Sequence, residues 1–288
     1  MPEGISSKTA ELIATLCEGT AAERREAARA LGEMGGACAV GALCEALFNG
    51  DLGVRLSAAM SLGHLRDGTA LECLADALTD DAAAIREAAA DALGQIDDDR
   101  VIDLLSAALE DTAPEVRMAA AEAMGRFHAS RSSVRPPPET VEGEITVRLP
   151  NALPEVDRCA TRAAEPLIAA LDDEIGDVRL MAAFALAELK DDGAVEPLVR
   201  VLVEDVSDVS LAAAYALGEI AAMRAVGPLI AALAHEDPFV RCAAADALGK
   251  IHDVRSVAAL EATRSDDTLE ARGAADRALR VKPSEPAE

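Results

Sequence analysis

Aromatic side chains are scarce: four Phe, one Tyr and no Trp make up 2% of 288 residues. Sandwiches and barrels draw on aromatic and β-branched packing, so this shortage argues against an all-β architecture. Long apolar runs are missing too. No stretch reaches the 18 or so continuous apolar residues of a membrane span, so no membrane association is expected. Met1–Leu12 carries Glu3, Lys8 and Glu11 and no apolar secretion core, which points to a cytoplasmic address. Positive charge is in short supply, with 27 Lys and Arg against 52 Asp and Glu, a net charge of −25. Binding to nucleic acid phosphates relies on Lys and Arg displacing counterions, so no direct nucleic-acid partner is expected. There is no Cys-x-x-Cys pair, and the six cysteines read as small buried hydrophobes rather than a disulfide or zinc framework.

Hydrophobic residues reach 51%, mostly Ala, Leu and Val. Alanine has the highest helix propensity and lets helix backbones approach, so the composition predicts an all-α protein. Self-comparison gives the organisation. Arg24, Arg55, Arg86, Arg117, Arg148, Arg179, Arg241 and Arg272 lie on one 31-residue grid, with Ser210 in the single empty slot. Eight residues later come Gly32, Gly63, Gly94, Gly125, Gly218 and Gly249, while Val156, Ala187 and Arg280 break that column. A third column reads Leu12, Leu43, Leu74, Leu105, Leu167, Leu198, Leu229 and Leu260, and a fourth follows four residues behind it.

Each unit reads as a helix A carrying the arginine and glycine, a turn, and a helix B carrying the leucines. Asp237-Pro238 is an N-cap followed by a first-turn proline, and Val240, Ala244 and Leu248 share one helical face. Such pairs are too short to form a core alone. Stacked, they give an α-solenoid of antiparallel helix pairs with a 31-residue period. The expected organisation is N-terminal repeats over 5–128 with a half-repeat cap, an irregular segment over 129–160, C-terminal repeats over 161–280 with a half-repeat cap, and a tail over 281–288. Pro136-Pro137-Pro138, Pro150 and Pro154 interrupt the array, and Val141–Leu149 alternates like a strand. Two readings stand: a degenerate unit that keeps its place, or an excursion from helix A of unit four to helix B of unit five at about 161–172.

The chemistry-bearing residues read mostly as structure. The arginines, including Arg55, Arg86, Arg117, Arg179 and Arg241, recur as a structural column. They are expected to pair with acids at helix starts, such as Asp51, Asp177 or Asp237, or with neighbouring helix ends. Gly63, Gly94, Gly125, Gly218 and Gly249 read as packing positions, since phosphate cradles need clustered glycines. His128 and His252 share a repeat position but stand 124 residues apart, His64 is isolated, and His235-Glu236 is a single dipeptide, so no metal site is expected. Cys159, flanked by Arg158 and close to Arg162, is the weak nucleophile candidate. Arg148, Glu142, Glu144 and Arg158 are the binding candidates on the irregular segment. Acidic pairs at unit junctions read as helix caps and as a negative field suited to a basic partner surface.

Asp237-Pro238-Phe239-Val240-Arg241-Cys242-Ala243-Ala244-Ala245-Asp246-Ala247-Leu248-Gly249, with the helix Pro228-Leu229-Ile230-Ala231-Ala232-Leu233, resembles the short HEAT-like repeats of the phycobilisome-lyase type. The resemblance covers 5–127 and 161–280. It implies a helical solenoid, and it spans adaptors, scaffolds and enzyme-associated subunits alike. One branch resembles bilin lyases, whose pigment pocket calls for aromatic and basic residues that are few here. Di-iron hydroxylases built from similar repeats carry repeated His-Glu pairs, against the one here. The expected function is therefore a non-catalytic protein-binding scaffold using the concave B-helix surface and the 129–160 segment, with no cofactor. The alternative is a lyase-like or cofactor-handling enzyme subunit.

Overall fold

In a computed structural model, residues 7–133 and 155–280 are described, apart from the side chains of 132–133 and 155–160. They form sixteen α-helices and no strand. The chain divides into two compact units at Phe127/His128, each described by itself. The first contains α1 (Ser7–Glu18), α2 (Ala21–Met34), α3 (Ala37–Asn49), α4 (Leu52–Leu65), α5 (Leu71–Ala77), α6 (Ala83–Leu93), α7 (Arg100–Ala108) and most of α8 (Pro114–Ser133). The second contains α9 (Glu155–Ala170), α10 (Gly176–Leu189), α11 (Val195–Glu204), α12 (Ser207–Ile220), α13 (Val226–Ala232), α14 (Pro238–Ile251), α15 (Val257–Thr263) and α16 (Leu269–Arg280). Even-numbered helices are the A helices of the 31-residue unit and odd-numbered ones the B helices. Among the described residues, α1 is a B helix with no A helix before it and α16 an A helix with no B helix after it.

Local chemistry sets the helix boundaries. Thr20 and Glu23 form a reciprocal capping box at α2, Asp51 accepts from the Gly53 and Val54 amides, and Asp237 accepts from Phe239 ahead of Pro238. Helices α4, α10, α12 and α14 each end on a residue in the left-handed region: Arg66, Lys190, Ala221 and His252. Three of the four B helices led in by a single 3-10 turn have an aspartate opening that turn: Asp67, Asp191 and Asp253. Much of the acidic excess at turns is thus spent on backbone amides. Helix α9 starts at Glu155, well before 161, so Pro166 lies inside it, whereas Pro197 and Pro228 fall in the first turn of α11 and α13.

The leucine columns form the core. Leu43, Leu47, Leu74, Leu105, Leu167, Leu198 and Leu229 are fully buried, and Leu16, Leu171 and Leu202 nearly so. Each contributes roughly 1.5–3 kcal/mol by leaving water. The glycine column sets the spacing of the A helices. A Cβ added at Gly32, Gly63, Gly94, Gly218 or Gly249 would sit 2.6–2.8 Å from Ser61, Ala92, Ala123, Ala247 or Ala278, the residue 29 positions on in the next A helix. Close backbone approach, not a helix stop, is the role of these glycines. Gly125 lies in α8, and its partner position, 154, is outside the described residues.

One sequence expectation is overturned here. Cys44 and Cys73 form a disulfide between α3 and α5, with Cα atoms 5.8 Å apart. Their separation of 29 is the offset of the glycine contacts, applied to the B row. Nor are the remaining thiols uniformly buried, since Cys17 and Cys38 are exposed. The triple proline, the strand-like 141–149 stretch and the choice between excursion and degenerate unit all fall largely or wholly within 134–154, outside the described residues.

Candidate functional site

The arginine column is a ladder between repeats. Arg86 donates from Nε and Nη2 to Asp111 at 2.6 and 2.8 Å, Arg179 to Asp205 at 2.5 and 2.6 Å, and Arg241 to Asp266 at 2.8 and 3.0 Å. Arg55 pairs with Asp80 through Nη2, its Nε donating to the Leu47 carbonyl. The acid lies 25 or 26 residues on, at the start of the next A helix, and not at Asp51, Asp177 or Asp237. The remaining nitrogen, Nη1, reaches carbonyls at the end of the preceding B helix: Asp80 from Arg86, Asp111 from Arg117, Asp173 from Arg179 and His235 from Arg241. Each acid also accepts from a backbone amide one or two residues on, at the entry to the next A helix, as Asp111 does from Ala113 and Asp266 from Thr268. Guanidinium hydrogen bonds hold the Asp111, Asp205 and Asp266 carboxyls below the usual carboxylate range. These ladder acids are thus engaged inside the repeat, which lowers the number left to face a basic partner.

The empty slot has a physical explanation. Where the ladder would place an arginine stands Ser210, fully buried, its hydroxyl donating to the Val201 and Asp205 carbonyls. Twenty-five residues on, where an aspartate would stand, His235 Nδ1 accepts from the Asp237 amide, the same cap that Asp111 makes. The arginine is missing and a histidine stands at the 25-residue acid position, while Glu236 remains at the 26-residue offset that Asp205 uses. The His235-Glu236 dipeptide is therefore a repeat position without its ion pair. Among the described residues, no group of three or more His, Cys, Asp or Glu side chains could hold a metal ion.

The binding candidates Glu142, Glu144 and Arg148 lie outside the described residues, as do the side chains of Arg158 and Cys159, whose backbone belongs to α9. By sequence register, Glu142 stands 25 residues after Arg117, and Asp173 stands 25 after Arg148, the ladder offset.

A site the sequence did not suggest lies on the A helices of the second unit. A groove of about 530 Å³ runs over α12, α14 and α16, lined by Leu211, Tyr215, Phe239, Cys242, Lys250 and Arg277 among others. Phe239 is 59% exposed. Tyr215 meets Phe184 edge to face with centroids 5.8 Å apart, and Lys250 Nζ stands 4.7 Å from the Tyr215 ring centre. Three of the chain's five aromatics therefore gather on adjacent A helices. Glu219 pairs with both Lys190 and Lys250, and Asp246 with Arg277 at 2.8 Å. Cys242 lies in the groove wall, where burial and then Asp246 push its thiol up, away from nucleophile chemistry. A signal existed in the sequence: Phe184 and Tyr215 occupy the repeat column that holds Met60, Asp91, Glu122, Asp246 and Arg277 elsewhere.

No helix among the described residues is long and apolar enough to cross a membrane. A search with the sequence finds no match among curated proteins. Among solved structures, importin beta resembles the chain with a TM-score of 0.66 at 15% identity, over 94% of this chain and 40% of that one. Human deoxyhypusine hydroxylase in complex with glycerol aligns at 27% identity over 95% of each chain, with a TM-score of 0.42. The CpcE–CpcF complex of phycocyanin lyase from Nostoc sp. aligns at 21% identity over 97% of this chain and 96% of that one, with a TM-score of 0.46. The importin likeness speaks for a helical-repeat fold, and the other two carry no argument about activity. The HEAT repeats profile matches residues 9–92, 77–135, 164–226 and 207–280. With the ladder, the leucine core and the glycine spacing all keeping its period, the chain belongs to the HEAT repeats family.

Proposed function

We infer that this protein is a non-catalytic scaffold that binds another protein. The observation that carries the reading is the division of labour along the repeats: conserved-period residues close on one another, leaving side chains such as Phe239 and Tyr215 facing water on the A helices. Aromatic side chains at a rim of charged groups are the usual anchors of protein interfaces. The sequence pointed to the B-helix surface and to 129–160. The A row of the second unit is the better-supported surface, because the groove and the exposed Phe239 and Tyr215 side chains lie on it. The 129–160 segment stays in the proposal as a second contact region. The alternative is an enzyme subunit that uses Cys159, whose side chain lies outside the described residues.

The test is an affinity pull-down from the native cell extract, comparing intact protein, a variant lacking 130–158 and Phe239→Ala. Circular dichroism first establishes that each variant stays helical. Enrichment of the same stoichiometric partner, reduced by one of the changes, supports the reading. Retention of no protein by the intact chain overturns it in favour of small-molecule binding.

A further inference from the structure

The groove over α12, α14 and α16 has a polarity that specifies its occupant. At one end the cations stand out and their counter-ions lie beneath. Lys190, Lys250 and Arg277 side chains are 57%, 43% and 60% exposed, while Glu219 and Asp246 are 22% and 39% exposed. A protein of net charge −25 thus turns a locally positive rim outward at this place. Of the other charges on these helices, Glu188 is exposed near the end of α10. Asp208 and Glu270 are exposed beside Phe239 at the opposite end, one repeat to either side of it. Between the ends the floor is apolar, formed by Leu211, Ala243 and Ala247 with the Tyr215 and Phe239 rings as walls.

We propose that this groove binds a peptide segment of a partner protein that seats an apolar side chain between Tyr215 and Phe239 and directs a following carboxylate to Lys250 and Arg277. The proposal rests on the scaffold reading and adds the chemistry of the partner: an apolar anchor with acidic residues after it. The lysine lies over the tyrosine ring and is shared with Glu219, so an incoming carboxylate joins an existing charge network and no cation is stripped of its partner. The aromatic walls contribute the apolar part of the affinity, as rigid rings with little rotamer entropy to lose.

The protein carries its own reporter, because Tyr215 is its single tyrosine and there is no tryptophan. The full chain is titrated with the N-acetylated amide peptide Leu-Leu-Phe-Glu-Glu, which contains neither fluorophore, while tyrosine emission is followed. A Lys-Lys version of the peptide is the control. Saturable change is expected, with the acidic peptide favoured by about 10-fold, equivalent to about 1.4 kcal/mol. Phe239→Ala is expected to weaken binding about 5-fold or more, and Lys250→Glu to abolish the preference for the acidic peptide. Both positions are exposed, and far-UV circular dichroism checks that both variants remain folded. Absence of saturation into the millimolar range, equal binding of the Lys-Lys peptide, or indifference to both substitutions overturns the proposal. A pull-down partner held equally by intact protein and by Phe239→Ala would also overturn the groove while leaving the scaffold reading in place.

Discussion

Alanine at Gly218 and alanine at Gly41 are the same chemical change in two helices, and the structure assigns them opposite signs. Glycine is the poorer helix former by about 1 kcal/mol, so propensity alone makes both substitutions stabilising. At Gly41, in α3 and exposed, an added Cβ meets nothing within 4 Å. The expected result there is a gain of about 0.5–1 kcal/mol. At Gly218 the new methyl would lie 2.8 Å from both the Cα and the Cβ of Ala247, where ordinary contact begins at 3.4 Å. Ala247 Cα belongs to the α14 backbone and cannot rotate away, so α12 and α14 must separate by roughly half an ångström along a close-packed seam. Overpacking of this kind costs about 1–3 kcal/mol, which outweighs the propensity gain and leaves a net loss of about 1 kcal/mol.

Urea denaturation followed by circular dichroism gives the sign of each change, and amide hydrogen exchange locates it. Gly218→Ala should lower protection in α12 and α14 specifically, since each repeat leans only on its neighbours. Gly63→Ala and Gly249→Ala, whose new methyls would lie 2.8 Å from Ala92 and Ala278, should behave in the same way. A midpoint for Gly218→Ala at or above that of the parent, with α12–α14 protection unchanged, would refute the assignment of the glycine column to helix spacing.

Four further outcomes follow from the ladder and the disulfide. Removing the guanidinium in Arg241→Ala leaves Asp266 and two carbonyls without it, and should cost about 3–5 kcal/mol by chemical denaturation, with Arg241→Lys recovering only part because an ammonium lacks the fork. The ladder carboxyls are held below their ordinary value of about 4, so their contribution is complete above that pH and is lost as pH falls below it. Denaturation midpoints should therefore drop on acidification, less steeply in Arg241→Ala. Cys73→Ser should destabilise the first unit by about 3–4 kcal/mol, the loop-closure value for a separation of 29 residues, and titration of all six thiols in denaturant without reductant would contradict the pairing. Ser210→Arg and His235→Asp should each destabilise alone, yet together show a favourable coupling of about 1 kcal/mol or more in a double-mutant cycle.

The period, the helix pairs and the leucine core were legible in the sequence because identical residues recurring every 31 positions demand identical environments. The contacts that give those residues their roles were less legible, because they join neighbouring repeats at offsets other than 31. The glycine meets its partner 29 residues on, and the arginine meets its aspartate 25 or 26 on. Cys44 and Cys73 stand at that 29-residue offset, so a reading by isolated cysteines misses a pairing that a reading by offset contains. The groove was hidden for a different reason. Phe184, Tyr215 and Phe239 are ordinary members of apolar helices until the stacking places them side by side.

That difference separates two kinds of departure from the repeat. Ser210 breaks the arginine column, and taken alone it would mark a special site. His235 breaks the acid column at the matching position, and its ring nitrogen still accepts from the amide two residues on, so the helix entry keeps its hydrogen bond without the ion pair. Tyr215 is met in part by Phe184 and Lys250, whereas Phe239 stands 59% exposed. Asp246 and Arg277 follow Tyr215 in its column, while Asp208 and Glu270 flank Phe239 in its own. An exposed aromatic ring amid charged positions of the same column adds no core contact that its repeat-mates need. A departure that the fold does not balance internally is the kind that the proposed peptide would account for, and the apolar, cation-rimmed groove is where those departures meet.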